Sequence, residues 1–257
     1  MYIEVQNVNK KFLQNGKEFT ALDNISLSIE KGEFICLLGP SGCGKSTLLN
    51  AIAGFDRISS GSIKIDGKEV TEPSVRNVMI FQHYGLLPWR NIQKNVELGL
   101  ESQKDISKEE RAKIAEKYIE LVGLSKFKKS YPKQLSGGMQ QRVSIARALA
   151  VNPDILFMDE PFGALDAITR MKLQDDILRI SEEEKKTIIF VTHDIEEAVF
   201  LADRIVVMTP NPGKIKSIVT VRLGRHRDRT SGDFLKMRDR IFDIFHMKPD
   251  NNIEYVI

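Results

Sequence analysis

Early in the chain, a lysine and two hydroxyls follow a glycine-rich turn at a spacing suited to phosphate. In Gly39-Pro40-Ser41-Gly42-Cys43-Gly44-Lys45-Ser46-Thr47 the pattern Gly-x4-Gly-Lys-Ser fits a P-loop. There the glycines let successive backbone N–H groups converge on phosphate oxygens without Cβ collisions. Lys45 offers a compact cation to β- and γ-phosphates, the Ser46 hydroxyl is placed to ligate Mg²⁺, and Thr47 reaches the phosphates beside it. Three downstream positions carry compatible chemistry. Asp159-Glu160 closes an apolar run and supplies a Mg²⁺ carboxylate with a candidate base beside it. His193 closes a second apolar run, and Ser136 with Gly137 and Gly138 opens a helix whose free N–H groups suit an anion. Taken singly, Ser-Gly-Gly is also an ordinary capped turn, and an acidic pair at a strand end is also a solvated loop entry.

These residues need strands that end at them and helices that begin at them. Phe34 to Leu38 is continuously apolar and Leu48, Leu49 and Ile52 recur at helical spacing, which predicts strand, loop, then a helix beginning near Lys45. Ile155 to Met158 and Thr187 to Val191 are likewise continuous apolar runs, as expected of parallel strands buried on both faces. The carboxyl ends of such strands are where open α/β sheets bind ligands. Alternation in Ile3 and Val5, in Ile25, Leu27 and Ile29, and in Ile63 and Ile65 before Asp66-Gly67 predicts a small antiparallel sheet beside that core. From roughly 91 to 150 the pattern turns to charged helices. Ser107 and Glu110 form a capping box ahead of Ile114, Tyr118, Leu121 and Val122, and Gly123 is the stop. This segment delivers Ser136 to a helix carrying Met139, Val143, Ala146 and Leu149 on one face. The expected fold is α/β: a P-loop NTPase core with a parallel sheet, an N-terminal antiparallel β subdomain and an inserted α-helical subdomain.

The 257 residues suffice for one such unit with its insert. A net charge of +3 is too mild to argue for nucleic acid. Cys36, in a strand, and Cys43, in the loop, are too few for a disulfide framework, so a reducing compartment is expected. Cys43, near Lys45 and the loop N–H groups, is expected to favour the thiolate, and Cys36 to be protected. No apolar stretch approaches the ~18 residues that span a bilayer, so any membrane role runs through partners. Arg222, Arg225, Arg227 and Arg229 read as a solvated face or a lipid-headgroup contact, ahead of an amphipathic helix carrying Phe234, Met237, Ile241 and Phe245. Phe12 alone reads as a core aromatic more readily than a ligand platform. The cluster Leu86, Leu87, Pro88 and Trp89 reads as core more readily than as an interface.

Five motifs stand in the order found in ATP-binding cassette (ABC) ATPases: GPSGCGKST, Gln82, LSGGMQQR from Leu135 to Arg142, ILFMDE followed by ALD at Ala164 to Asp166, and His193. Over nearly its whole length the chain resembles ABC transporter ATP-binding subunits. GLLPWRN, EPFGALDAITR, THDIEEAVF, PNPGKI and RHRDRTSGDFLKMRDRI are similar to importers of the nitrate/sulfonate/taurine group. The resemblance implies ATP and Mg²⁺ as cofactors. It assigns Glu160 as general base, His193 to the γ-phosphate beside Lys45, and Gln82 as sensor of Mg²⁺ and γ-phosphate. Phe12 then stacks on adenine, and the loop from Gly39 to Thr47 with Ser136, Gly137, Gly138, Gln140 and Asp166 holds nucleotide. Ser46, Gln82 and Asp159 serve the metal.

The resemblance further places Ser136 and Gly138 on the nucleotide of a second ATPase subunit, so two chains, most simply two copies, face each other head to tail. Integral membrane permease subunits follow as partners and a solute-binding protein indirectly, with the chain peripheral on the cytoplasmic face and no nucleic acid expected. Leu87 and Trp89 then help form the groove for a permease helix. The chain reads as a single ABC ATPase domain over 1–257, with its helical signature subdomain at about 91–150 and a C-terminal extension at about 222–257. A non-transport ABC ATPase in a cytosolic assembly or on nucleic acid is the alternative. Against it stand the single cassette and an insert of about forty residues, too short for a long coiled coil.

Overall fold

The computed structural model describes residues 1–14, 16–81, 84–103, 105–163, 165–224 and 227–246. The N-terminal alternation becomes a hairpin of two long strands, β1 (Ile3–Gln14) and β2 (Lys17–Ile29). Ile3 pairs with Ile29, Val5 with Leu27 and Val8 with Ile25, which puts the apolar residues on one face. β3 (Phe34–Leu38) is buried at every position and leads through the glycine loop into α1 (Lys45–Ala53). β4 (Ser60–Ile65) sets Ile63 opposite Val5 and Ile65 opposite Ile3, then turns into the short β5 (Lys68–Glu69). The turn residues Asp66 and Gly67 have φ of 51° and 71°, the primed-turn geometry that Asp-Gly favours. These strands form an antiparallel sheet of order β2-β1-β4-β5.

β6 (Asn77–Ile80) precedes three helices that pack on one another, α2 (Ile92–Glu97), α3 (Lys108–Leu121) and α4 (Gly137–Ala150). The capping box at α3 forms as read: Ser107 Oγ accepts from Glu110 N–H, and Glu110 Oε2 accepts from Ser107 N–H, both at 3.1 Å. The chain then runs through β7 (Ile155–Asp159), α5 (Ala167–Glu184), β8 (Thr187–Thr192), α6 (Ile195–Leu201), β9 (Arg204–Thr209), β10 (Lys214–Thr220) and α7 (Gly232–His246). The second sheet has the order β10-β9-β3-β8-β7-β6, parallel from β9 to β6 with β10 as an antiparallel edge.

Side chains alternate across a strand, so β3 divides the interior in two. Phe34, Cys36 and Leu38 join a core with Val96, Leu149 and Phe190 on the helical side. Ile35 and Leu37 join Ile3, Leu22, Ile29 and Leu48 on the side of α1 and the antiparallel sheet. With both faces covered, polar side chains reach solvent only at the strand ends, which leaves the carboxyl edge of β3, β8 and β7 for chemistry. Among the described residues no helix is long and apolar enough to cross a membrane.

The basic stretch after β10 is not the solvated face expected from its composition. Arg227 is buried and donates to the carbonyls of Val199, Phe200 and Ala202 at 2.7, 2.9 and 2.9 Å. The last carbonyls of α6 lack intrahelical partners, and a guanidinium's several donors satisfy them together. Arg229 lies over the Phe200 ring, 3.4 Å from its centroid. Arg222 is exposed, and Arg225 lies outside the described residues. Phe234 and Ile241 bury the apolar side of α7 in the helical core.

Candidate functional site

At both ends the glycine loop is wedged between neighbours that leave no room for a side chain. Gly44, the cap of α1, has φ of 89°, and an ideal Cβ there would approach Leu22 Cδ2 to 2.7 Å and the Ala21 carbonyl to 3.0 Å. At Gly39 a Cβ would meet Cys43 Sγ at 2.5 Å and the Met208 carbonyl at 2.9 Å. Glycine is therefore required at both ends of the loop. The first N–H groups of α1 have no intrahelical acceptor and carry the helix's positive end, which suits an anion. Ser41, Gly42 and Ser46 are exposed, while Pro40, Gly44 and Thr47 are half-buried.

Lys45 is only 4% exposed, and its Nζ donates to the carbonyls of Gly39 at 2.8 Å and Pro40 at 3.0 Å. Ser46 Oγ donates to Asp159 Oδ1 at 3.0 Å, joining the start of α1 to the end of β7. Burial raises the Asp159 carboxyl above its usual range, and the Ser46 hydrogen bond opposes that rise. Glu160 follows with φ of 44°, a left-handed conformation that costs a non-glycine residue about 1 kcal/mol. Its N–H donates to the Val191 carbonyl at 3.1 Å, and its own carbonyl accepts from Gly163 at 3.2 Å. Held this way, Glu160 Oε2 lies 3.4 Å from His193 Nδ1, at the end of β8. Ser46 and Asp159 present hard oxygens to one point. Among the described residues no group of three or more His, Cys, Asp or Glu could hold a metal. The Ser46–Asp159 pair fits Mg²⁺, which takes one or two protein oxygens and completes its octahedron with water and phosphate.

Several candidates stand elsewhere. Phe12 is 39% exposed opposite Phe19, with Lys10 Nζ 4.6 Å above its ring, so it is not core. It lies two residues beyond Lys10, whose partner Leu22 is the side chain that closes Gly44. Ser136 caps α4 by accepting from Met139 N–H, and Gln140 Nε2 donates to the Leu135 carbonyl at 3.2 Å. Gly137 faces the Tyr84 hydroxyl, and Gly138 faces Thr169 and Leu165 rather than the P-loop. Asp166 caps α5, and its hydrogen bonds from Thr169 hold its carboxyl below the usual range. Gln82, with His83 and Ala164, lies outside the described residues.

Cys43 corrects the sequence reading. Its side chain turns into the core at 0% exposure, and burial raises its thiol above the ordinary range, outweighing the opposing influence of Lys45. Proximity to a cation in sequence did not reveal that the side chain points away from solvent. Cys36, fully buried, is raised further, again chiefly by burial. A maleimide at neutral pH is therefore expected to label neither cysteine of the folded chain, whereas denaturant exposes both. Selective labelling of Cys43 in the native state, read by mass spectrometry, would contradict the buried thiol.

Asn95 and Glu197 are among the buried polar groups that escaped the sequence reading. Asn95, at 0% exposure, accepts from Leu87 N–H at 2.8 Å and donates to the Leu87 and Arg90 carbonyls at 3.1 and 2.9 Å, bracing the Gly85–Arg90 loop. Its signal was a polar residue between Ile92 and Val96 at the apolar phase of α2. Glu197 is buried beneath the His193 loop and accepts from Thr192 Oγ1 at 2.7 Å. In the sequence it passes for an ordinary acid in the first turn of a helix.

The ABC transporter family matches residues 22–163. An uncharacterized ABC transporter ATP-binding protein of Methanocaldococcus jannaschii, MJ0412, is 54% identical over 94% of this chain and 90% of its own. The aliphatic sulfonates import ATP-binding protein SsuB of Bacillus cereus is 46% identical over 95% of this chain and 96% of its own. Among solved structures, the dimeric post-hydrolysis state of the ATP-binding cassette MJ0796 bound to ADP and Pi is similar with a TM-score of 0.77. That cassette is 35% identical to this chain, and the match covers 86% of this chain and 100% of that one.

Proposed function

Because the chain belongs to the ABC transporter family and is an ATP-hydrolysing ATP-binding subunit, we propose that it couples ATP hydrolysis to import of a small anionic or nitrogen- or sulfur-containing solute. Nitrate, aliphatic sulfonate and taurine are the solute types favoured. The observation that carries the chemical part is the convergence of Lys45, Ser46, Asp159, Glu160 and His193 at the carboxyl ends of three adjacent strands. Similarity to a sulfonate importer subunit over almost the full length supports the transport part.

In this reading the third N–H of Lys45 serves the β- and γ-phosphates, since the other two are engaged by loop carbonyls. Ser46 and Asp159 would hold Mg²⁺, with Gln82 as sensor, and the bound ion would supply positive charge against that which builds on the transferred phosphoryl group. Glu160 orients water and accepts its proton, and His193 fixes the γ-phosphate opposite. Phe12 stacks on adenine. Gly137 and Gly138 meet Tyr84, Thr169 and Leu165 rather than the P-loop, which supports this segment, with Ser136, Gln140 and Asp166, serving nucleotide held by a second copy. ATP then favours the closed pair because it touches both chains there, and hydrolysis removes that difference in binding. Residues 1–257 act as one cassette, peripheral on the cytoplasmic face, with permease subunits as direct partners, a solute-binding protein as an indirect one, and no nucleic acid.

The test is to purify the full chain with its membrane partners and assay the accompanying binding protein for thermal shifts with nitrate, taurine and alkanesulfonates, since a ligand of the native state raises apparent stability. Cofractionation with ribosomes or nucleic acid and no integral membrane subunit would overturn the transport reading in favour of a cytosolic assembly.

The coupling face has a structural candidate. Trp89 is not core: it is 72% exposed and lines a 410 Å³ groove with Arg90, Asn91, Lys94, Glu97 and Tyr131. The Asn95 hydrogen bonds fix the loop that carries it, so its exposure does not come from a slack chain. Trp89→Ala is expected to leave stability within about 0.5 kcal/mol of the parent and turnover of the isolated chain unchanged. Recovery of the membrane complex should fall about tenfold or more, the scale of losing an interfacial aromatic anchor. Unfolding of the isolated variant, or undiminished complex recovery, would refute the assignment.

A further inference from the structure

The loop presenting His193 is held from outside the nucleotide site by a run of hydrogen bonds whose direction is set at its far end. Arg229 Nη2 donates to Gln174 Oε1 at 2.6 Å, and Gln174 Nε2 donates to Glu197 Oε1 at 3.1 Å. Thr192 Oγ1 donates to Glu197 Oε2 at 2.7 Å and accepts from Asp194 N–H at 3.0 Å. Asp194 in turn accepts from the N–H groups of Glu196 and Glu197, capping α6. Gln174, Thr192 and Glu197 are all at most 8% exposed.

A guanidinium has donors only, so its contact dictates the orientation of every later link. Gln174 must turn its oxygen to Arg229 and its amide to Glu197. Glu197 must then accept from both Gln174 and Thr192. Thr192 commits its proton there and meets Asp194 N–H with a lone pair. The residues on both sides of His193 are thereby fixed without any contact to the imidazole. Arg229 is itself anchored by the Phe200 ring, and Arg227, two residues before it, by three carbonyls of the α6 terminus. Arg170, 3.9 Å from the carboxylates of both Asp194 and Glu197, supplies positive charge on the side facing the site.

We propose that residues 227–230 clamp the His193 loop, with Arg229, Gln174 and Glu197 as positioning residues that hold His193 in its working place while touching neither nucleotide nor metal. The clamp gives the segment after β10 a part in hydrolysis. The inference rests on the reading above that His193 meets the γ-phosphate.

The test uses the full chain and two measurements. Arg229→Ala removes the terminal donor, Gln174→Met interrupts the middle without disturbing the Phe200 stack, and Thr192→Val deletes the hydroxyl at nearly constant shape. In the nucleotide-free chain, exchange of the Asp194 amide hydrogen should speed up about tenfold or more in each, because its acceptor is lost or released. With saturating Mg-ATP, kcat should fall about tenfold while KM stays within about twofold, the pattern of a lost transition-state arrangement. Thr192→Ser, which keeps the hydroxyl, should restore both values. Melting temperatures close to the parent's show that the fold is intact, and if Arg229→Ala does not fold, Gln174→Met decides. Parental Asp194 exchange in folded Gln174→Met overturns the clamp, as does a loss expressed in KM alone. An unsubstituted chain that shows the exchange behaviour but hydrolyses no ATP would instead overturn the functional reading, so the two failures are distinguishable.

Discussion

Lys45→Ala is expected to lower ATP turnover by roughly 10²–10³-fold, the scale of removing a preorganised charge from the place where transition-state charge develops. The fold should survive. Lys45 is nearly buried, and among the described residues its ammonium donates to the carbonyls of Gly39 and Pro40 and to no carboxylate, so its loss breaks no direct buried ion pair. Because α1 is held by Leu48, Leu49 and Ile52 in the core, the helix keeps its place when the side chain is shortened. Phosphate release at saturating Mg-ATP reads the effect, and turnover within about fivefold of the parent would remove Lys45 from the chemistry.

For Glu160→Gln, the expectation is a comparable loss of hydrolysis with ATP still bound. The amide preserves the shape of the side chain but cannot accept a proton from water. The backbone should hold as well, since the left-handed turn at this residue is secured by main-chain bonds to Val191 and Gly163 that the substitution leaves alone. Trapped ATP should then drive the variant into a stable pair, visible by size exclusion with Mg-ATP and absent with ADP. A variant that remains monomeric under saturating ATP would contradict a site shared between two copies, whereas one that turns over at the parental rate would contradict Glu160 as base.

The parts of this architecture that were legible depend on local pattern. The apolar run before Gly39 announced β3, the alternation in Ile3, Val5, Leu27 and Ile29 foretold the pairing of β1 with β2, and Ser107 with Glu110 marked a helix start to the residue. Each reflects a contact between near neighbours or a period set by backbone geometry. Side-chain direction at irregular positions was not legible. Cys43 sits one residue from a glycine with positive φ, and no period tells which way such a residue points. Arg227 and Arg229 looked like solvated charge because the carbonyls and the glutamine that receive them belong to α6 and α5, far back in the chain. The same limit hid Glu197, whose importance lies in Gln174 and Thr192 above it rather than in its own helix. At the nucleotide site, the motifs named the residues, but the 3.0 Å approach of Ser46 to Asp159 exists only because β3 and β7, distant in sequence, end at the same edge of the sheet with β8 alone between them.

The position of β3 between β8 and β9 has a consequence for the chain while it is being made. β3 is complete about 150 residues before either hydrogen-bonding neighbour has been synthesised, an interval on the order of 10–30 s at ordinary elongation rates. Throughout it five consecutive apolar residues have β1, β2 and α1 for company on one face but no ladder along either edge. Nucleotide cannot shorten this interval, because Asp159, Glu160 and His193 do not yet exist to complete the site. The strand order that gathers the catalytic groups thus also delays them, and the nascent protein depends on its N-terminal hairpin, and on whatever chaperones attend the ribosome, to keep its future centre from pairing elsewhere.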